Sequence, residues 1–179
     1  FPPGESVGVW GGETFECGCL PRLFDTCREE RHGRLAVHPW ADNRSEKDSA
    51  RRGAILRENW REKFSSFVEK LGATRVYVTI DLDCLRAEEA ATNWENGRFA
   101  VEDLVWALTL LGEGNRIAAG DICGAWSAPF YARRKQRFAS EMDHPKLPPQ
   151  DPVIVRQKND ATLQRLLPAL LHTDMRLRF

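Results

Sequence analysis

Nothing in these 179 residues offers a membrane anchor or a field of one sign. No apolar run approaches the roughly 20 residues a spanning helix requires, and no secretion-signal pattern opens the chain. The 26 basic residues cancel the 26 acidic ones, which leaves no long-range potential to gather a nucleic acid or an anionic membrane surface. The basic run "RRKQR" at 133–137 accordingly reads as solvated charge on a loop. Paired cysteine spacings are missing too. Cys17, Cys19, Cys27, Cys84 and Cys123 are odd in number and scattered, unlike a zinc ribbon or a disulfide framework. They read as free thiols in a reducing cytoplasm, with Cys84 and Cys123 as small buried hydrophobes. "CGC" at 17–19 lacks the further ligands of a tetrahedral metal site. There is no Gly-rich phosphate loop, no GxSxG elbow and no HExxH helix. What remains is the expectation of a soluble, cytoplasmic chain with neither nucleic acid nor membrane as partner.

What is present is alternation. Apolar residues at Leu56, Trp60, Phe64, Phe67 or Val68, and Leu71 recur at helical spacing and predict a helix over 54–71. Gly72 is its C-terminal cap. "RVYVTID" at 75–81 is β-branched and apolar at nearly every position, the pattern of a central parallel strand covered on both faces. Val101, Leu104, Val105, Leu108 and Leu111 mark a second helix, ended by Gly112 and Gly114, and "RIAAGDIC" at 116–123 a second strand. Helix, strand, helix, strand is the order of βαβ units. "SVGVW" at 6–10 and "RLAVHPW" at 34–40 are further strands. Residues 127–154 carry many prolines and charges and read as an irregular excursion. A last helix over "ATLQRLLPALL", 161–171, is expected to kink or break at Pro168. The expected fold is one α/β domain over 1–179. The start at Phe1, entering almost directly into a strand, reads as an N-terminal truncation.

The first strand runs into two carboxylates, Asp81 and Asp83, one residue apart. Ligands of open parallel sheets gather outside the carboxyl ends of the strands. On an extended strand, residues i and i+2 point to the same side, so both carboxylates converge there. Two anions held together are costly, and a divalent cation relieves the repulsion. Oxygen donors suit Mg²⁺ or Mn²⁺, and added imidazoles would favour Mn²⁺ or Zn²⁺. The competing account is that both aspartates only cap the following turn or face solvent. Asp121, at the equivalent end of the next strand, favours the metal.

"VTIDLDCL", followed by "ATNWENGRF", a helix and "IAAGDICGAWSAP", resembles the C-terminal part of the arginase, agmatinase and formiminoglutamase group, the ureohydrolases. Within it, the likeness is to an arginase-like subgroup with TNWDQG-type loops and a Gly-Asp-x-Cys-Gly segment. It spans residues 54–130, and "QKNDATLQRLLPALL" at 157–171 resembles that subgroup's tail. The resemblance implies a three-layer α/β/α fold with a mainly parallel sheet, as in the deacetylases. It implies that Asp81 and Asp83 ligate metal, with Thr79 in the place of the motif's serine. It implies a Mn²⁺ centre of two ions if upstream motifs supply the other ligands, with Zn²⁺ or Mg²⁺ as alternatives. Such a centre lowers the pKa of a bound water that attacks a guanidinium-type or amide carbon, which makes the chain a metal-dependent hydrolase of a non-peptide C–N bond. Asp121 falls on the family's aspartate of the next strand, while Asn93, Trp94 and Gly97 border the pocket and Asn93, Trp94 and Asp121 would contact substrate. A homo-oligomer is a further implication.

The departures are definite. Arg86 and Ala87 stand where the family has Asp-Pro, and Gly124 stands where it has the glutamate that contacts the substrate's guanidinium or amine. Arginine and agmatine are therefore not the expected substrates. The family's GGDHS-like and DAHxD-like motifs are not found, and "VHPWADN" at 37–43 places His38 at a strand end and Asp42 with Asn43 in a turn. Trp94 and Trp126 are either pocket walls or core aromatics. His144 and His172 have no neighbours suggesting a base or a ligand. Two other classes compete. A strand ending in DxD also resembles the nucleophile motif of haloacid-dehalogenase-like phosphatases, although Leu85 sits where that motif wants Thr or Val. A DxD glycosyltransferase would need a nucleotide pocket that nothing upstream supplies. The non-enzyme alternative is an arginase-fold binding subunit without catalysis.

Overall fold

The computed structural model describes residues 7–11, 35–41, 53–114, 116–128, 130–143 and 149–171. Cys17, Cys19, Cys27, Asp42, Asn43, His144 and His172 lie outside them. The chain divides into two compact units, Phe1–Ser66 and Phe67–Phe179.

In the first unit, β1 (Val7–Trp10) and β2 (Leu35–His38) pair in parallel, from Val7 opposite Leu35 to Trp10 opposite His38. Both fall where alternating apolar residues place them. The helix expected from Ala54 starts instead at Trp60 and runs as α1, Trp60–Leu71, whose residues from Phe67 onward belong to the second unit. Residue 55 is claimed by a different partner: Ile55 N donates to Pro39 O at 2.7 Å and Ala41 N to Ile55 O at 2.8 Å. Ile55 is thereby bridged to Trp40 and fully buried. Asn59 Oδ1 then accepts from Leu56 N at 2.9 Å, a turn that hands the chain to the helix. Trp60 and Phe64 are buried on α1, and Trp10 meets the Phe64 ring edge-on at 5.0 Å. Gly72, at φ +55, ends the helix as expected.

The second unit contains β3 (Val76–Asp81), a 3₁₀ turn at Leu82–Cys84, α2 (Val101–Gly112), β4 (Ile117–Cys123), α3 (Arg134–Asp143) and α4 (Pro152–Leu170). β3 and β4 pair in parallel with Thr79 opposite Asp121 and Asp81 opposite Cys123. The mixed α/β class with parallel pairing is thus observed. Burial of β3 on both faces is not. Tyr77, Thr79 and Asp81 are exposed, Tyr77 at 63%, while Ile80 between them is buried. Tyr and Thr favour strands for reasons of shape as much as of hydrophobicity, so an apolar-looking run concealed an alternation of period two. On the buried side, a Cβ on Gly120 would stand 2.8 Å from Leu170 Cδ1 of α4.

α4 packs against α2. Val155, Leu166 and Leu170 are buried on α4, and Val101, Leu108 and Leu111 on α2, with Arg165 paired to Glu102 at the rim. The region expected to be irregular holds α3 and the first three residues of α4. Gln136 Oε1 accepts from Arg133 N at 3.1 Å to start α3. "RRKQR" is exposed, but most of it lies on that helix rather than on a loop. Asp151 Oδ1 accepts from Val153 N at 2.8 Å and Pro152 occupies the first helical position, the favoured helix start that "DPV" encodes. The helix does not break at Pro168: Leu171 N still donates to Leu167 O at 2.9 Å. So close to the end, the missing N–H removes a single bond.

Candidate functional site

β3 delivers Asp81 as its last residue, but Asp83 does not lie on the strand. It sits in the 3₁₀ turn, so the i, i+2 argument from an extended strand fails. The two side chains meet by another route. Asp81 caps the turn, its Oδ1 accepting from Asp83 N at 3.3 Å. The chain folds back so that Asp83's carboxyl is raised to about 6, first by its own burial, then by the charge of Asp81 and by a hydrogen bond with it. Asp81 is exposed and Asp83 half-buried. Capping, the competing account from the sequence, and convergence occur together.

Around the pair, the loop after β3 is pinned at several points. Gly97 N donates to Asp83 O at 2.5 Å, Phe99 N to Cys84 O at 3.1 Å, and Arg86 N to Phe99 O at 2.9 Å. The Asn96 amide donates to Leu85 O and Ala90 O, each at 3.1 Å. Gly97 lies so close that a Cβ would collide with Cys84 O and come within 2.7 Å of Cys84 C. Farther along, Asn159 of α4 clasps Ala91 with both ends of its amide, at 2.8 and 2.9 Å. Asp103 Oδ2 and Glu89 Oε2 accept from Ala100 N and Val101 N, each at 2.9 Å, satisfying the start of α2.

Asn93, expected to contact substrate, cross-links two loops. Its Nδ2 donates to Ser127 O and its Oδ1 accepts from Ser127 N, both at 2.9 Å. Trp126 N donates to Ala91 O at 2.9 Å and adds a backbone link between the same two loops. Trp94 is partly exposed, with its N–H on Thr92 Oγ1 at 3.3 Å. Asp121 is accepted into the exposed face of the sheet: Tyr77 OH donates to its Oδ2 and Thr79 Oγ1 to its Oδ1 at 2.8 Å. Those bonds hold its carboxyl below the usual range and occupy both oxygens. Cys123 is exposed, which corrects its reading as a small buried hydrophobe, while Cys84 is largely buried with an intermediate exposure of the whole residue. Burial and then the two aspartate charges push the Cys84 thiol up to about 12, and burial followed by Asp81 raises that of Cys123. Both stay protonated at neutral pH, unlike a thiolate ligand.

Gly124 follows β4 with φ +78, and a Cβ there would collide with Asp81 Oδ1 and come 3.1 Å from Leu82 N. The backbone therefore occupies the place beside Asp81 that a side chain at 124 would need. In the first unit, His38 is the strand-end residue expected, stacked on Trp10 at 3.8 Å with Nδ1 2.9 Å from Gly53 O. Its pKa is lowered, mainly by burial.

As a cation site, Asp81 and Asp83 offer hard oxygen donors, which fits Mg²⁺ or Mn²⁺ retaining several waters. Among the described residues no three His, Cys, Asp or Glu side chains gather as a fuller ligand set. Asn96, Glu89 and Asp103 build the site's surroundings without having been singled out from sequence, while Asn159 holds Ala91 farther along the loop. For Asn96 a signal existed, since Asn-Gly is a strong turn dipeptide. Among the described residues no helix is long and apolar enough to cross a membrane. Comparison with protein-family models, with curated proteins and with solved structures finds no match to this chain.

Proposed function

We propose that the chain is a ureohydrolase-like, metal-dependent hydrolase of a non-peptide C–N bond, built on a three-layer α/β/α fold, with Asp81 and Asp83 as metal ligands. The observation that carries this reading is the convergence of these two carboxylates at the carboxyl end of β3, where Asp81's charge and hydrogen bond help raise Asp83's pKa to about 6. A divalent cation removes that repulsion by replacing the shared proton. Mn²⁺ bound there would supply a water of lowered pKa as nucleophile. Asp81 would offer its oxygens from the end of a strand and Asp83 from the clamped turn that follows it.

Asp121 acts at one remove. Its bonds to Tyr77 and Thr79 tie β4 to β3 and stiffen the strand that ends in Asp81. The Asn93 clamp fixes the two loops at the same end of the sheet. Gly124 supplies no carboxylate, so the substrate is a guanidino or amide compound recognised without an ion pair from that position. Arginine and agmatine are disfavoured on this ground. The same glycine supports one alternative, a non-catalytic binding subunit of the same fold.

The test is metal content and turnover together. Purified protein dialysed against Mn²⁺ should retain the ion and release urea or ammonia from a panel of guanidino and amide compounds. Asp81→Asn should lose both properties. Protein without stoichiometric metal and without product would end the hydrolase reading, and metal without product would favour the binding subunit.

A further inference from the structure

The position of Asp83 is set by the cap from Asp81 at the end of the strand and, more extensively, by residues thirteen to sixteen places farther along the chain. Three successive carbonyls, those of Asp83, Cys84 and Leu85, are all paired with the short segment 96–99. Gly97 N takes the first, Phe99 N the second, and the Asn96 side chain the third. Asn96 spends its other donor on Ala90 O, so a single amide ties the end of the 3₁₀ turn to the turn that follows it. Leu82, Leu85 and Phe99 are buried at 1%, 0% and 3% exposure, and Leu85 and Phe99 form a parallel bridge. Asp81, by contrast, takes its position from the pairing of β3 with β4, opposite Cys123.

We propose that Asn96 and Gly97 are positioning residues for the cation site: they set the spacing of Asp83 from Asp81, and through it the affinity for a divalent ion. This rests on the metal reading above. Neither residue touches the ion. Asn96 acts by holding Leu85 O and Ala90 O, and Gly97 by being small enough to lie against the Cys84 backbone, where a methyl group would have to displace the turn that carries Asp83. A chelating pair tolerates little error, because two oxygens must reach one ion at 2.0–2.6 Å. A shift of about an ångström in one of them forfeits its bond, as in sites whose supporting shell is loose.

The experiment compares the affinity of Mn²⁺ alone, by calorimetry or by the free-ion electron paramagnetic resonance signal, across the wild type and three variants of the full chain. Asn96→Ala removes the clamp and Gly97→Ala forces the turn outward. Asn159→Ala is the control, because it deletes an equivalent pair of amide bonds, those to Ala91, without touching residues 82–85. Thermal melting of the metal-free proteins measures what each change does to stability by itself. The expected result is a loss of roughly tenfold or more in Mn²⁺ affinity for Asn96→Ala, with Asn159→Ala within about twofold of wild type at a comparable melting loss. Gly97→Ala, where it folds, should fall with Asn96→Ala. If Asn96→Ala binds Mn²⁺ like the control, the positioning role is overturned while the metal reading stands. If the wild type binds no Mn²⁺, the metal reading fails and takes this inference with it.

Discussion

Gly124 stands at φ +78 with the Asp81 carboxylate where its side chain would begin. Two penalties therefore meet at one position: the left-handed backbone costs an ordinary residue about 1–2 kcal/mol, and the collision adds to it. Gly124→Ala should lower the unfolding free energy by at least that backbone cost in a denaturant titration, and Gly124→Glu should do no better. Asp83 makes a prediction of the opposite sign. Its carboxyl titrates near 3.8 in an unfolded chain and near 6 in the folded one. Between those values the native state holds more protons, so stability falls as pH rises from about 4 to about 6 and stays reduced above that. Asp83→Asn should flatten this part of the pH profile of metal-free protein. It should stabilise the protein at pH 7 by about 1 kcal/mol, a figure already reduced for the group's partial exposure to solvent.

Helix starts in this chain are written in side chains that the hydrophobic pattern does not register. α4 begins nine residues before its apolar stripe was recognised, because Asp151 and Pro152 together form an N-cap and a first helical position. Asp151→Ala should cost about 0.5–2 kcal/mol, seen as a lower melting temperature with little change in helical circular dichroism. Leu166, fully buried on the same helix, should cost about 2–5 kcal/mol on truncation to alanine. The contrast between the two variants separates a cap from a packing contact. At the other end Pro168 is tolerated because it falls in the last turn, where it forfeits only one carbonyl partner.

The molecule consists of two compact units, each with a two-stranded parallel sheet among its described residues. The proposed cation site lies wholly in the second, on β3 and the turn and loop that follow it. Ligand binding to the folded state alone adds RT ln(1 + [L]/Kd) to stability. Mn²⁺ at one hundred times its dissociation constant should therefore raise the unfolding free energy by about 2.7 kcal/mol. Asp81→Asn should abolish that increment in a melt followed with and without the ion.

Local sequence was sufficient to place β1, β2, β3, α2 and β4, α2 by its apolar spacing and β3 by its β-branched residues, although the exposed face of β3 was not legible in it. The same local signal put a pair of carboxylates at the end of β3. What it did not contain was how they meet. Asp83 leaves the strand because Leu82–Cys84 turns into a 3₁₀ helix, and that turn is held by hydrogen bonds from Asn96, Gly97 and Phe99. The start of α1 was withheld for a similar reason, since Ile55 pairs with Pro39 and Ala41 rather than joining the helix its spacing fits. Hydrogen bonds between residues ten or more places apart carry no periodic trace, so the spacing of Asp81 and Asp83, the exclusion of a side chain at 124 and the capture of Asn93 by Ser127 were decided only when the loops were laid against each other in three dimensions.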